Sequence, residues 1–434
     1  MNRTFLTITA ITLLLTGLFF SCKKHQDTPF LDVSFTSPSA SEIFSVPDTI
    51  VVKFSIQSDL PIIKLSARID NEQMIPLSPV VYLYPDEAQR DFEIPLVVDI
   101  LPETQDTKAY IHLIINDGVQ NDHWYLAIEL KTKPLVYKGF SVITSTNQQS
   151  STLLFFNEQG DELAQMAISG RAKNTLSLPE SDLLVMATSN PEHLMAIRWE
   201  DQQVMWTKDA PFPNPSFTCL YGKAPYLYYG VGAGRVVGVY GSTGLQHMET
   251  PVFEGYQPTS IGSGGNNLIF AESSSTGLTS RISACYLNTG EFQSHYLTEF
   301  QSVFAHSNSD STIVFIGNQG SGGQLLVFDS KHIQTSGGQM FDFGEIVCAT
   351  AIDQNNYLMA SKDAVFHYNL YTDQLHQVYT AQVEIGHLSC NTRTQLAYIG
   401  DGNTLQILDF PHFTTTGTHT FPAPVVGVCM RYVR

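Results

Sequence analysis

The chain has 434 residues, enough for two or more domains, and 43% of them are hydrophobic, enough for real cores. Only 15% are charged and the net charge is −18, with no Lys/Arg cluster after Lys24 to make a basic patch against that field. Nucleic acid is therefore excluded as an expected partner.

The first residues, MNRTFLTITAITLLLTGLFFSCKKH, contain a basic start at Arg3, an apolar run from Phe5 to Phe20 and a small residue at Ser21. That pattern is a secretory signal over residues 1–21, too short for a stable membrane span. The tetrapeptide Phe19-Phe20-Ser21-Cys22 resembles a lipobox, with Phe19 in place of the usual Leu, and the SCKK form resembles lipoproteins of Bacteroidota. The resemblance implies a lipidated Cys22, an outer-membrane location and anchoring through acyl chains. The plainer alternative is an ordinary cleaved signal with an incidental Cys. Residues 22–30 read as a polar tether. Lys23 and Lys24 are followed by His25, Gln26 and a single Asp27, without the acidic pair of the surface-export signal. The side of the membrane that the protein faces is left open.

Residues 31–133 read as one all-β domain. The runs LDVSFT, TIVVKFSIQ, IIKLSARID, DFEIPLVVDI, KAYIHLIIND and HWYLAIELK alternate Val, Ile, Phe and Tyr and are bounded by Pro, Asp and Ser. NDGVQND (Asn116–Asp122) joins the last two as a hairpin. The domain resembles the broad bacterial Ig-like class of β-sandwich, without the Cys–Trp–Cys core of antibody domains.

KTKP (Lys131–Pro134) marks a boundary, and repeats fill residues 135–434. The clearest unit, Ile346–Thr380, divides into IVCATAI, YLMAS, AVFHYNL and LHQVYT, separated by turn residues. Four short strands make one antiparallel meander, and a lone meander cannot bury both faces. Second strands align at Ser141, Leu183, Tyr226, Leu268, Thr312, Tyr357 and Leu396, a spacing of roughly 40 to 45 residues. The pattern resembles WD40-like and YVTN-like β-propellers and implies seven blades. The first unit begins at its second strand, and VVGVCMRYV (Val425–Val433) is an orphan. Pairing the orphan into the first blade would close the ring.

The signature tests for chemistry come out negative: HExxH, GxSxG, a Walker loop, an EF-hand loop and CxxC are all missing. VGAGRVVG (Val231–Gly238) lies between strands with no helix to receive a pyrophosphate, so it reads as a turn. Cys219, Cys285, Cys348, Cys390 and Cys429 are an odd count for an exported chain, and four fall in first strands of blades. They read as packed thiols rather than a disulfide framework. His306 and His387 fall in the inner strands of blades five and seven, where channel or core roles are the expectation. No cofactor or metal site is expected.

On the face built by loops leaving outer strands, Lys208–Pro215 and Thr250–Pro258 are long and Pro-rich. Asp209, Phe212, Phe253, Glu254 and Tyr256 are the candidate binding residues, as an aromatic lip for sugars or peptides. The alternative is that these rings staple the loops to the sheets. The favoured function is a cell-envelope lipoprotein that binds or scaffolds a protein partner or polysaccharide beside an outer-membrane complex. The other reading is a propeller-based glycan lyase or hydrolase, drawing on Asp209, Glu254, Asp363 and Asp401 as the available acids.

Overall fold

The computed structural model describes residues 30–86, 90–98, 107–211, 216–309 and 311–434. Cys22 and the signal segment lie outside the described residues, as does Phe212. The regular structure of the described chain is all strand except for one 3-10 turn, Pro179–Ser181, and it has no helix long and apolar enough to cross a membrane. It divides into two compact units, residues 1–133 and 134–434.

The first unit holds a three-stranded sheet, in the order Leu31–Ser37, Asp48–Ser58, Asp91–Val98. A five-stranded sheet runs Ile43–Val46, Asn121–Thr132, Thr107–Asn116, Lys64–Asn71, Val81–Leu83. Strict alternation decides which side packs. In Asp91–Val98 every second residue (Phe92, Ile94, Leu96, Val98) is buried, and these meet Leu65, Ile69, Ile111 and Leu113 of the other sheet in one core. Two strands escape the sequence pattern. Ile43–Val46 and Val81–Leu83 have four and three residues, too few to show an alternation, and Ile43–Val46 adds in parallel to the edge strand Asn121–Thr132.

In the second unit the described residues form seven four-stranded antiparallel sheets, the arrangement of a β-propeller. The repeat read at Ile346–Thr380 shows why each closes locally. Asp353 Oδ1 accepts the N–H groups of Asn355 (2.7 Å) and Asn356 (2.9 Å), and Asn369 Oδ1 accepts those of Tyr371 and Thr372 (2.8 Å for Thr372). Such side chains turn the backbone between strands without help from elsewhere.

The first sheet takes its innermost strand from the other end of the unit: Val425–Val433 pairs with Val136–Thr144. The other inner strands are Arg171–Leu178, Phe217–Lys223, Tyr256–Gly264, Gln301–Ser307, Cys348–Ala351 and Ile385–Asn391. Each packs beside the next, and Val425–Val433 packs beside both Arg171–Leu178 and Ile385–Asn391, so the circle closes. Neighbouring sheets share separate apolar clusters. Between the seventh sheet and the first, Tyr398, Leu405 and Ile407 meet Phe140, Val142 and Phe156 across Val425 and Met430.

Candidate functional site

Because the strands alternate direction, two sets of loops share one end of the ring: those leaving each outer strand, and those joining second to third strands. The end of the outer strand at Asp209, the connector 250–255 and the hairpin 275–279 belong to this face. Asp209 ends its outer strand and pairs with His193 Nδ1 at 2.7 Å, its carboxylate largely exposed. Glu254 is exposed at a turn, and no contact joins it to Asp209 among the described residues.

Phe253 and Tyr256 do come together, around a cation that sequence reading missed. The Arg281 guanidinium lies 3.9 Å from the Tyr256 ring centre and 4.8 Å from that of Phe253. Phe253 is half-buried against Phe292 (5.3 Å) and Phe270 (6.1 Å), and the Tyr256 hydroxyl meets Thr279 Oγ1 at 3.2 Å. Beneath them Arg281 Nε pairs with the buried Glu272 carboxylate at 2.7 Å, and Ser283 Oγ donates to the same carboxylate. Burial pushes the Glu272 carboxyl up, while hydrogen bonds from Arg281 and Ser283 and the guanidinium charge oppose that shift.

Gly234 explains how the 250–255 connector sits so close. Its φ is +83°, and a Cβ there would stand 2.5 Å from the carbonyl oxygens of both Phe253 and Tyr256. The glycines of VGAGRVVG thus serve a tight hairpin between Tyr226–Val231 and Arg235–Tyr240, with Phe253 N–H donating to Gly234 O at 2.7 Å.

Asp401 and Asp363 have partners of their own within the blades. Asp401 is buried and accepts from the Tyr379 hydroxyl (2.9 Å) and from the N–H groups of Gln382 (2.6 Å), Val383 (2.9 Å) and Glu384 (3.2 Å), fixing the connector to the seventh sheet. Asp363 accepts from Ser361 Oγ at 2.8 Å. Among the described residues no three His, Cys, Asp or Glu side chains converge to hold a metal ion. Cys219, Cys348, Cys390 and Cys429 lie on inner strands, Cys285 lies on a third strand, and all five are free. Burial pushes each thiol up to about 12, which leaves them protonated and unreactive.

His306 and His387 are separate. His306 stands edge-on to Tyr357 at 6.0 Å, whereas His387 Nε2 donates to Val428 O at 3.2 Å across the closing seam. Burial lowers His387 to about 4 from 6.5. The native state therefore binds this proton more weakly than the unfolded chain does. Stability is whole above pH about 6.5 and is lost as pH falls towards 4, by at most about 3 kcal/mol. His387→Gln keeps a donor for Val428 O without titrating. Its melting temperature is expected to fall less than the wild type's between pH 7 and 4; parallel curves in a thermal denaturation series would refute the assignment.

The described surface also carries a cleft of about 630 Å3 between the first and seventh sheets. Its floor is aromatic: Phe156 packs against Phe421 (6.2 Å) and His419 (5.5 Å). Its walls are Thr152, Gln165 and Glu162 on one side and Thr418 and Thr420 on the other. Hydroxyls and an amide dominate, with one carboxylate and no Lys or Arg. The Ser145–Ser150 hairpin and the connector through Phe421–Ala423 frame its mouth on the loop-bearing face.

No family model matches the chain, and no curated protein does. Among solved structures, the computationally designed Ika8 protein is similar at 12% identity over 67% of this chain and 90% of its own, with a TM-score of 0.45. The hydrazine synthase of Kuenenia stuttgartiensis is similar at 10% identity over 59% of this chain and 88% of its own, with a TM-score of 0.47. The β-propeller domain of Myceliophteria thermophila Cps50 (Swd1) is similar at 11% identity over 59% of this chain and 89% of its own, with a TM-score of 0.48. Likenesses this distant carry nothing about activity.

Proposed function

We propose that this chain is a lipid-anchored protein of the cell envelope, in which an Ig-like domain precedes a seven-bladed propeller that binds a polysaccharide. In this reading it serves as an accessory to an outer-membrane complex. The cleft between the first and seventh sheets is the observation that carries the binding role. The half-buried His419 ring, backed by the buried Phe156 and Phe421, offers a stacking surface for a sugar ring, and flanking hydroxyl and amide groups offer directional hydrogen bonds. The lack of Lys and Arg in its lining favours a neutral polymer over an acidic one. Hydrolysis would need two carboxylates about 5–10 Å apart. Asp401, Asp363 and Asp209 are instead held by backbone N–H groups, a hydroxyl and an imidazole, which supports binding over the lyase or hydrolase reading.

Thr420 lies exposed on the cleft wall, so Thr420→Trp fills the space without touching a core. We expect neutral envelope polysaccharide to bind the wild type and to bind Thr420→Trp at least tenfold more weakly, about 1.4 kcal/mol. Equal affinity in calorimetry would sink the cleft. The anchor has its own test: labelled palmitate is expected in the wild-type band and not in Cys22→Ala, because stable anchoring takes more than one acyl chain. An unlabelled wild type would remove that part of the reading.

A further inference from the structure

The outer face of the five-stranded sheet in the first unit carries a line of three side chains that neither core packing nor the ring explains. His112 lies on Thr107–Asn116 and His123 on Asn121–Thr132. In the ladder Ile114 stands opposite His123 and Tyr125 opposite His112, so the two imidazoles are diagonal neighbours on one face. His112 Nε2 and His123 Nδ1 are 2.8 Å apart. On the other side of the same ring, His112 Nδ1 meets Asp70 Oδ2 at 2.8 Å.

The three groups differ in access. Asp70 is fully buried and His112 nearly so, whereas His123 is exposed. Tyr125 stacks on the His112 ring at 4.4 Å and 24°, and Arg68 Nε pairs with Asp70 Oδ1 at 2.8 Å from its own strand. His112 is therefore held from three sides. A carboxylate can only accept, so Nδ1 of His112 carries the hydrogen and its Nε2 presents a lone pair towards His123 when the ring is neutral. Two imidazole nitrogens face each other at hydrogen-bond distance, and one ring is backed by a buried carboxylate, the kind of partner that orients a histidine ligand on a metal.

We propose that His112 Nε2 and His123 Nδ1 form a binding site for a divalent transition metal of the zinc–copper class. Imidazole suits these ions, and an isolated pair of them suits neither magnesium nor calcium. Metal–nitrogen bonds of about 2.0–2.1 Å in a tetrahedral site place two ligand nitrogens about 3.3 Å apart. The pair must open by at least about 0.5 Å and His123 must swing off the line that now joins the two rings, which its exposed side chain can do by changing rotamer. The hydrogen now shared between the rings moves to the outer Nε2 of His123, which faces water, so no charge is stranded. Asp70 fixes the tautomer and direction of His112 without touching the ion. Among the described residues no third His, Cys, Asp or Glu joins the pair, so water completes the coordination and a chelator should strip the ion. The site belongs to the first unit and the cleft to the second, so its failure or success leaves the polysaccharide reading untouched.

Calorimetric titration of the full chain with Zn2+ is the test, with Cu2+ as a second probe and Mg2+ as a control. One equivalent of Zn2+ is expected to bind the wild type and to be lost in His123→Ala, whose exposed position leaves folding intact by circular dichroism. Asp70→Asn is expected to weaken binding by about 10–100-fold, the effect of removing a carboxylate behind a ligating histidine. If Asp70→Asn does not fold, His123→Ala alone decides. Zn2+ and Cu2+ both failing to bind the wild type overturns the site. So does binding that survives His123→Ala, or Mg2+ binding with equal strength.

Discussion

Deleting Val425–Arg434 is expected to unfold or aggregate the second unit. The strand carries Val425, Val428 and Met430 into the cluster between the seventh and first sheets, and Cys429 into the cluster between the first and second. Each large apolar side chain so buried contributes roughly 1.5–3 kcal/mol. Removing three of them with a whole ladder of strand hydrogen bonds approaches the entire stability of a domain, about 5–15 kcal/mol. The deletion also leaves Val136–Thr144 as an unpaired edge facing the gap, which invites pairing between molecules. The ion pairs Arg431–Asp182 (side chains 22% and 27% exposed) and Arg434–Glu180 (12% and 14% exposed) are mostly buried, so removing one partner of each has its own cost. Arg431→Met with Arg434→Met, which keeps the strand and its ladder, therefore serves as the control that separates the loss of charge from the loss of the strand. A deletion variant that elutes as a monomer with an unchanged melting temperature would contradict closure through this strand.

Arg281→Met is expected to cost about 3–5 kcal/mol near neutral pH, because it leaves the Glu272 carboxylate buried without its partner. The methionine retains much of the stem against Phe253 and Tyr256, so the loss is mostly electrostatic, with a smaller share from the cation–π contacts. Burial already raises Glu272, and removing the guanidinium raises it further. A raised folded pKa means the native state holds the proton more tightly. Stability in the variant is thus greatest at low pH and falls as pH rises through the Glu272 titration. The double variant Arg281→Met, Glu272→Met removes both charges and should recover most of the loss. Denaturant midpoints at two pH values measure all of this. Equal stability of the single and double variants would show that the pair does not act as a unit.

The same pair shows how near the site lay to the surface of the sequence. Ser273 and Ser280 face each other in the ladder, so Glu272 and Arg281 are the next rung of the hairpin closed by residues 275–279. What hid them is that a charged residue near the end of a strand ordinarily faces solvent, whereas here Phe253 and Tyr256, from the preceding connector, lie over Arg281, the partner of the buried Glu272. The hydrogen-bonded line Asp70–His112–His123 was hidden more deeply. Its members are 42 and 11 residues apart, and only the strand register sets them on one face. The short strands Ile43–Val46 and Val81–Leu83 escaped for want of length, being recruited by the edges they join.

Alternation with a period of two, and Asp, Asn and Gly at the turns, act within a few residues of themselves. The sequence therefore determined the all-β character and the four-strand repeat, because each meander closes through contacts with its own neighbours. The orphan strand Val425–Val433 already pointed to closure, but which side chains meet across the seam is another matter. Tyr137 and Tyr398 meet at 3.2 Å across 261 residues, and the threonines and aromatic rings of the cleft are assembled by that same closure. Only tertiary packing decides it, since a ring brings its two ends together by burying apolar faces, and no local pattern records which distant face will be opposite.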